Sequence, residues 1–173
     1  MDRNIWLSKT SVTRILTLDM TGDQLTYTVF TDGGSRGNPG PAAFGYVIYD
    51  PQGGVVAQQG AYIGETTNNQ AEYQGIVAAL ECLQTLNLDR PVTCKLDSEL
   101  VVRQILGIYR MKHDGLRPWL EKVHTLVGQL PVSVTFTHIP RQQNQVADRL
   151  VNQALDEKAK DSHGTNSISS SNP

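Results

Sequence analysis

The chain of 173 residues carries 15 Lys and Arg against 17 Asp and Glu, a formal charge of −2, and is 39% hydrophobic. That length fits one domain with a sizeable core, and no run nears the ~18 apolar residues needed to span a bilayer, which argues against a membrane partner. A balance this close to neutral excludes a protein held to nucleic acid by bulk charge, so any such contact has to come from a local site.

Residues 1–22 are too few for a domain and read as an N-terminal extension of unassigned role, with a short strand over Arg14–Leu18 and a turn at Thr21-Gly22-Asp23. Ile5-Trp6-Leu7 falls short of the roughly 7–15 apolar residues of a secretory signal, which predicts a cytoplasmic protein. Gln24 to Asp32, Phe44 to Asp50 and Val55 to Ile63 read as strands, the last two separated by the turn signal Pro51-Gln-Gly-Gly54, and together predict an antiparallel meander. From Asn69 to about Asn87 the period changes, with Tyr73, Ile76, Val77, Leu80, Leu83 and Leu86 on one helical face.

After Pro91 the pattern gives a strand over Val92 to Asp97 and a helix from Ser98 with Leu100, Val101, Ile105 and Leu106 inward. A further helix carries Trp119, Leu120, Val123, Leu126 and Val127 and ends at Gly128 and Pro131. Val132 to His138 makes a fifth strand, and Asn144 to about Lys158 a last helix. Strand, helix, strand in this order adds parallel strands to the meander. The expected architecture is an α/β domain over 23–160, a mixed five-stranded sheet flanked by helices. Residues 161–173, rich in Ser, are too polar to offset ordering entropy and are predicted disordered. Cys82 and Cys94 fit no zinc or redox spacing and read as two buried thiols.

Carboxylates in unusual places carry the chemical argument. Asp32 and Asp97 each close an apolar strand, the position at which open α/β sheets place their sites, although an Asp there also serves as a turn former or helix cap. Glu72 completes Asn69-Gln-Ala-Glu72, a capping-box pattern, yet its spacing to Ile76, Ala79 and Leu83 puts it beside the buried face. Asp148 borders the apolar stripe of the last helix. The glycine-rich run Gly33 to Gly40 contains neither GxxxxGK[ST] nor GxGxxG, which excludes a nucleotide-triphosphate or dinucleotide loop.

Four blocks taken in order are recognisable. Thr31-Asp-Gly-Gly-Ser-Arg-Gly-Asn-Pro-Gly-Pro41, Thr66-Thr-Asn-Asn-Gln-Ala-Glu-Tyr73, Asp97-Ser-Glu-Leu-Val-Val102 and His138-Ile-Pro-Arg-Gln-Gln-Asn-Gln-Val-Ala-Asp-Arg-Leu150 resemble the type 1 ribonuclease H family over about residues 25–158. The resemblance implies the ribonuclease H fold and endonucleolytic cutting of the RNA strand of RNA/DNA hybrids, with 5′-phosphate and 3′-hydroxyl products. It matches Asp32, Glu72, Asp97 and Asp148 to the family's catalytic, metal-holding carboxylates and His138 to its loop histidine, with a proton-transfer or product-release role. It also matches Gly33, Ser35, Asn38, Thr67, Asn68, Asn69, Gln70, Ser98 and Glu99 to the hybrid-contacting positions, where the 2′-hydroxyl separates RNA from DNA. Position 99 is often Gln in relatives and is Glu here.

Four gathered carboxylates repel one another unless cations lie among them. Oxygen-only ligands suit Mg2+, with Mn2+ as substitute, and two such ions serve an in-line displacement at phosphorus. Some members carry a Lys- and Trp-rich helix that grips the DNA strand. Residues 103–122 here hold Arg103, Arg110, Lys112, Arg117 and Lys122 with two acids, and Trp119 sits at core spacing, so that basic handle is missing. The expected assembly is a monomer acting on RNA/DNA hybrid. The competing reading is a catalytically silent nucleic-acid-binding module on the same fold, since fold does not fix function.

Overall fold

The computed structural model describes residues 25–164. The strand expected over Arg14–Leu18, the turn at Thr21 to Asp23 and the tail beyond residue 164 lie outside the described residues. Within them run β1 (Tyr27–Ser35), β2 (Gly40–Tyr49), β3 (Val55–Thr66), α1 (Asn68–Gln84), β4 (Val92–Leu96), α2 (Glu99–Ile105), α3 (Arg117–Gln129), β5 (Val134–His138) and α4 (Gln145–Gly164), with 3-10 turns at Asp114–Leu116 and Arg141–Gln143.

The strands form one sheet in the order β3-β2-β1-β4-β5. β1, β2 and β3 pair antiparallel, while β1 with β4 and β4 with β5 pair parallel. The meander closes at Asp50, whose Oδ1 accepts from the N–H groups of Gln52 and Gly54, with Gly53 at φ +87°. Only a residue without a Cβ takes that conformation cheaply, which is why Gln-Gly-Gly signals the turn.

β2 is buried on both faces, and its alternation divides the core. Phe44, Tyr46 and Ile48 join Val29 and the apolar residues of α1, α2 and α3 in the main cluster. Ala43 faces Val151, Ala154 and Leu155 of α4 on the opposite side. α1 lies against the sheet and is in turn covered by α3, so even its Gly75 and Ala79 are buried. The near-complete burial explains why its apolar stripe is wide.

Glycine sets how closely α4 approaches. A Cβ at Gly45 would stand 2.5 Å from the Ala147 carbonyl oxygen, and one at Gly60 2.5 Å from that of Leu150. Gly45→Ala is therefore expected to push α4 from the sheet and cost about 1–3 kcal/mol. Chemical denaturation reads this directly, and an unchanged midpoint would refute the close contact.

Three expectations change. β1 runs three residues past Asp32 into the glycine-rich segment, because Gly33, Gly34 and Ser35 pair with Phe44, Ala43 and Ala42. α4 continues through Gly164, so residues 161–164 are helical rather than disordered; extending an existing helix fixes one residue for each bond gained. Cys94 is buried, but Cys82 is only half-buried. Among the described residues no helix is long and apolar enough to cross a membrane.

Candidate active site

The parallel register sets the site. Thr31 of β1 lies beside Leu96 of β4, and Leu96 beside His138 of β5. Asp32 and Asp97 therefore follow one another across neighbouring strands at the carboxyl end of the sheet, with His138 ending the third strand in the row.

Helix capping frees the two acids whose local patterns suggested a cap. α1 is capped by Thr67, whose Oγ1 accepts from the Gln70 N–H at 3.3 Å, while the Gln70 side chain bonds Thr66. The capping segment is thus Thr67-Asn-Asn-Gln70, two residues ahead of the pattern ending at Glu72. Glu72 enters one turn later, on the face toward β1. In the same way Ser98 caps α2, its Oγ accepting from the Val101 N–H at 3.5 Å. Asp97, the residue before the cap, keeps its carboxylate for other partners.

Asp32, Glu72 and Asp97 each place one carboxylate oxygen within 4.8 Å of the others. Asp32 and Glu72 are both only 9% exposed, and Glu72 Oε2 is buried without a hydrogen-bond partner among the described residues. Asp148 stands one turn into α4, outside that cluster. Its Oδ1 accepts from Arg141 at 2.9 Å and its Oδ2 from Asn152 at 3.2 Å.

Burial, reinforced by the charges of Asp97 and Asp148, pushes the Asp32 carboxyl up to about 7, against the Gly33 N–H and Arg141. Burial first, then Asp32 and Asp97, raises Glu72 well above the usual carboxylate range. Three acids at this spacing and burial cannot all be ionised at low cost without a counter-charge. The orphaned Glu72 oxygen and the all-oxygen donor set fit a hard divalent cation.

The residues matched to hybrid contacts lie at the end of β1 and in the loop after it, and at the starts of α1 and α2. Ser35 donates its N–H (2.7 Å) and its hydroxyl (2.9 Å) to Asn68 Oδ1, and Asn68 donates its N–H to Asn38 Oδ1 at 3.1 Å. The hairpin loop and the start of α1 are thereby tied together, and the side-chain oxygens of both asparagines are engaged within the protein. Gly33 packs so close that a Cβ would stand 2.1 Å from the Glu72 nitrogen. Thr67, Gln70 and Ser98 serve as described above, and Asn69 is half-buried. Glu99 is held by Arg103 in an ion pair of 2.6 Å. His138 is exposed.

Sequence reasoning passed over two residues. Asn144 is fully buried and donates through Nδ2 to the Thr31 carbonyl at 2.8 Å and to Asp97 Oδ1 at 3.2 Å. Arg141 neutralises Asp148 and its guanidinium also acts on Asp32. Both lie in the loop block between His138 and Asp148, where a single Asn or Arg looks like any loop residue. The available signal was position, between two matched residues that must converge.

Comparison with known proteins now bears on this geometry. The Reverse transcriptase-like family model matches residues 30–154. Ribonuclease HI of Halobacterium salinarum is 39% identical over 150 residues, covering 87% of this chain and 73% of that protein. A bifunctional protein of Mycobacterium tuberculosis is 39% identical over 129 residues, but this chain covers only 35% of its length. Among solved structures, LC11-RNase H1 in complex with RNA/DNA hybrid has a TM-score of 0.74 at 43% identity, covering 78% of this chain and 99% of that one. RNase H1 of Halobacterium salinarum has a TM-score of 0.73 at 40% identity, covering 76% and 98%.

Proposed function

Because the chain belongs to the type 1 ribonuclease H family, we propose that it is an endonuclease that hydrolyses the RNA strand of RNA/DNA hybrids at the Asp32, Glu72, Asp97 cluster. The observation that carries this reading is three carboxylate oxygens within 4.8 Å of one another at the sheet's carboxyl end, one acid retaining a buried, unpartnered oxygen.

Asp32, Glu72 and Asp97 are the residues that would hold divalent cations, with Asp148 joining from α4. Two hard ions held there, Mg2+ with Mn2+ as substitute, would supply Lewis acidity, favouring deprotonation of an attacking water and stabilising charge on the departing 3′ oxygen. The water oxygen gives up a proton and bonds to phosphorus as the P–O3′ bond breaks, and the departing 3′ oxygen takes up a proton from solvent, leaving a 5′-phosphate and a 3′-hydroxyl. His138, exposed beside this row of strand ends, serves proton transfer or product release. Arg141 holds Asp148 through an ion pair of 2.9 Å.

Substrate selection is assigned to the tied loop. With their oxygens engaged by Ser35 and by the α1 backbone, Asn38 and Asn68 present N–H donors to a strand in the shallow groove, where a 2′-hydroxyl accepts them. Gly33, Asn69, Thr67, Gln70 and Ser98 shape that surface. Glu99 is spent on Arg103 and contributes least.

No handle helix intervenes between α2 and α3 among the described residues, only the 3-10 turn Asp114–Leu116. Arg103, Arg117 and Lys122 are already paired with Glu99, Asp114 and Glu81. Each neutralised phosphate adds about 0.9 to the slope of log affinity against log salt. Hybrid binding is accordingly expected to be weaker and less salt-sensitive than that of a handle-bearing relative, measured without catalysis in Ca2+. An equally steep slope would contradict it.

The deciding assay is cleavage of an end-labelled RNA/DNA hybrid, beside single- and double-stranded RNA and DNA, with Mg2+, with Mn2+ and with chelator. Internal cutting confined to the RNA strand of the hybrid, requiring metal, is the expected outcome. Hybrid binding without cutting in either metal would instead make the chain a binding module.

A further inference from the structure

Asn144 is a fully buried polar side chain with both amide hydrogens committed and no partner for its oxygen among the described residues. The two groups it faces, the Thr31 carbonyl and Asp97 Oδ1, are both acceptors, so the atom toward them has to be nitrogen. Thr31 immediately precedes Asp32, and Asn144 sits one helical turn before Asp148, whose N–H donates to the Asn144 carbonyl at 3.1 Å. The side-chain amide therefore touches the backbone behind the first acid and the carboxylate of the third, while the backbone carbonyl of the same residue accepts from the helical turn that carries the fourth.

We propose that Asn144 is a positioning residue for the reaction: it fixes the rotamer of the Asp97 carboxylate and ties the start of α4 to β1, setting the distances among the acids. The inference rests on the functional reading above but concerns a residue that reading does not need. Packing alone is a poor account of it, because burying an amide with an unpaired oxygen costs stability that an apolar side chain of similar volume would not. A side chain retained against that cost and aimed at an acid's oxygen acts on the acid. Outer partners of this kind typically tune cation affinity about 10- to 100-fold.

The test uses the full chain without substrate, so it is independent of whether hybrid is cut. Calorimetric titration with Mg2+ is expected to give Asn144→Ala a dissociation constant at least tenfold weaker than wild type, in protein whose circular dichroism is unchanged. An unchanged constant in folded variant overturns the proposal. If the variant fails to fold, wild-type protein decides: the Asn144 side-chain NH2 resonances are expected to shift during Mg2+ titration with the calorimetric constant. Resonances that stay fixed while Mg2+ binds overturn it equally.

Discussion

Asp97→Asn is expected to lower cleavage of RNA/DNA hybrid by about 10^3-fold or more while leaving the folded structure intact. The substitution keeps the size of the side chain but removes one of three carboxylates whose oxygens lie within 4.8 Å. Lewis-acid stabilisation by bound cations is worth several kcal/mol, and about 4 kcal/mol corresponds to that factor. The same change relieves repulsion, since Asp97 raises both Asp32 and Glu72. The metal-free variant should therefore melt at a higher temperature than wild type at neutral pH. Loss of activity with gain of stability distinguishes a functional acid from a structural one. Full activity in Asp97→Asn would remove that residue from the site, and a lower melting temperature would deny the repulsion.

Stability of the metal-free protein should fall as pH rises, the reverse of ordinary acid denaturation. Asp32 has a folded value of about 7 against an ordinary 3.8, so between those values the folded state binds the proton and the unfolded state does not. For this group the slope of unfolding free energy with pH is then negative, and its contribution to stability is lost from roughly pH 4 up to pH 7. A shift of that size is on the order of 4 kcal/mol, and Glu72 adds in the same direction. A bound divalent cation would replace the protons as counter-charge, so Mg2+ should stabilise strongly at pH 7.5 and little at pH 5. Melting curves at the two pH values, with chelator and with Mg2+, measure both. Equal Mg2+ stabilisation at the two pH values would show that the acids are not the binding groups.

The reach and the shortfall of the sequence have physical causes. Strand and helix order was legible because the strands are apolar and β-branched runs set off by turn signals and α1 repeats at helical spacing, and Asp32 and Asp97 stood out because they close apolar strands. Which side-chain oxygen caps α1 was not legible, since Thr67 and Asn69 both suit the position; the choice follows from where β3 delivers the chain at Thr66. The role of Asn144 depends on the β1–β4 register and on α4 lying against β1, a long-range arrangement with no local signature. Arg141 was equally silent, because an exposed Arg gains meaning only from the acid that faces it. The extra helical turn through Gly164 was missed because composition reports average order, whereas a helix end depends on the turn before it.

The strand order β3-β2-β1-β4-β5 also dictates when the site comes into being. β1 to β3 pair with near neighbours in the chain, so they can close early and with little entropy lost. Asp32 then waits on the rim of that meander until β4, more than sixty residues later, docks beside β1. This non-local step brings Asp97 to Asp32 and to Glu72 of α1, so the part of the repulsion that Asp97 adds does not burden the nucleus from which the molecule grows. The chemistry and the collapse of the chain are separated in time by the order in which the strands were written.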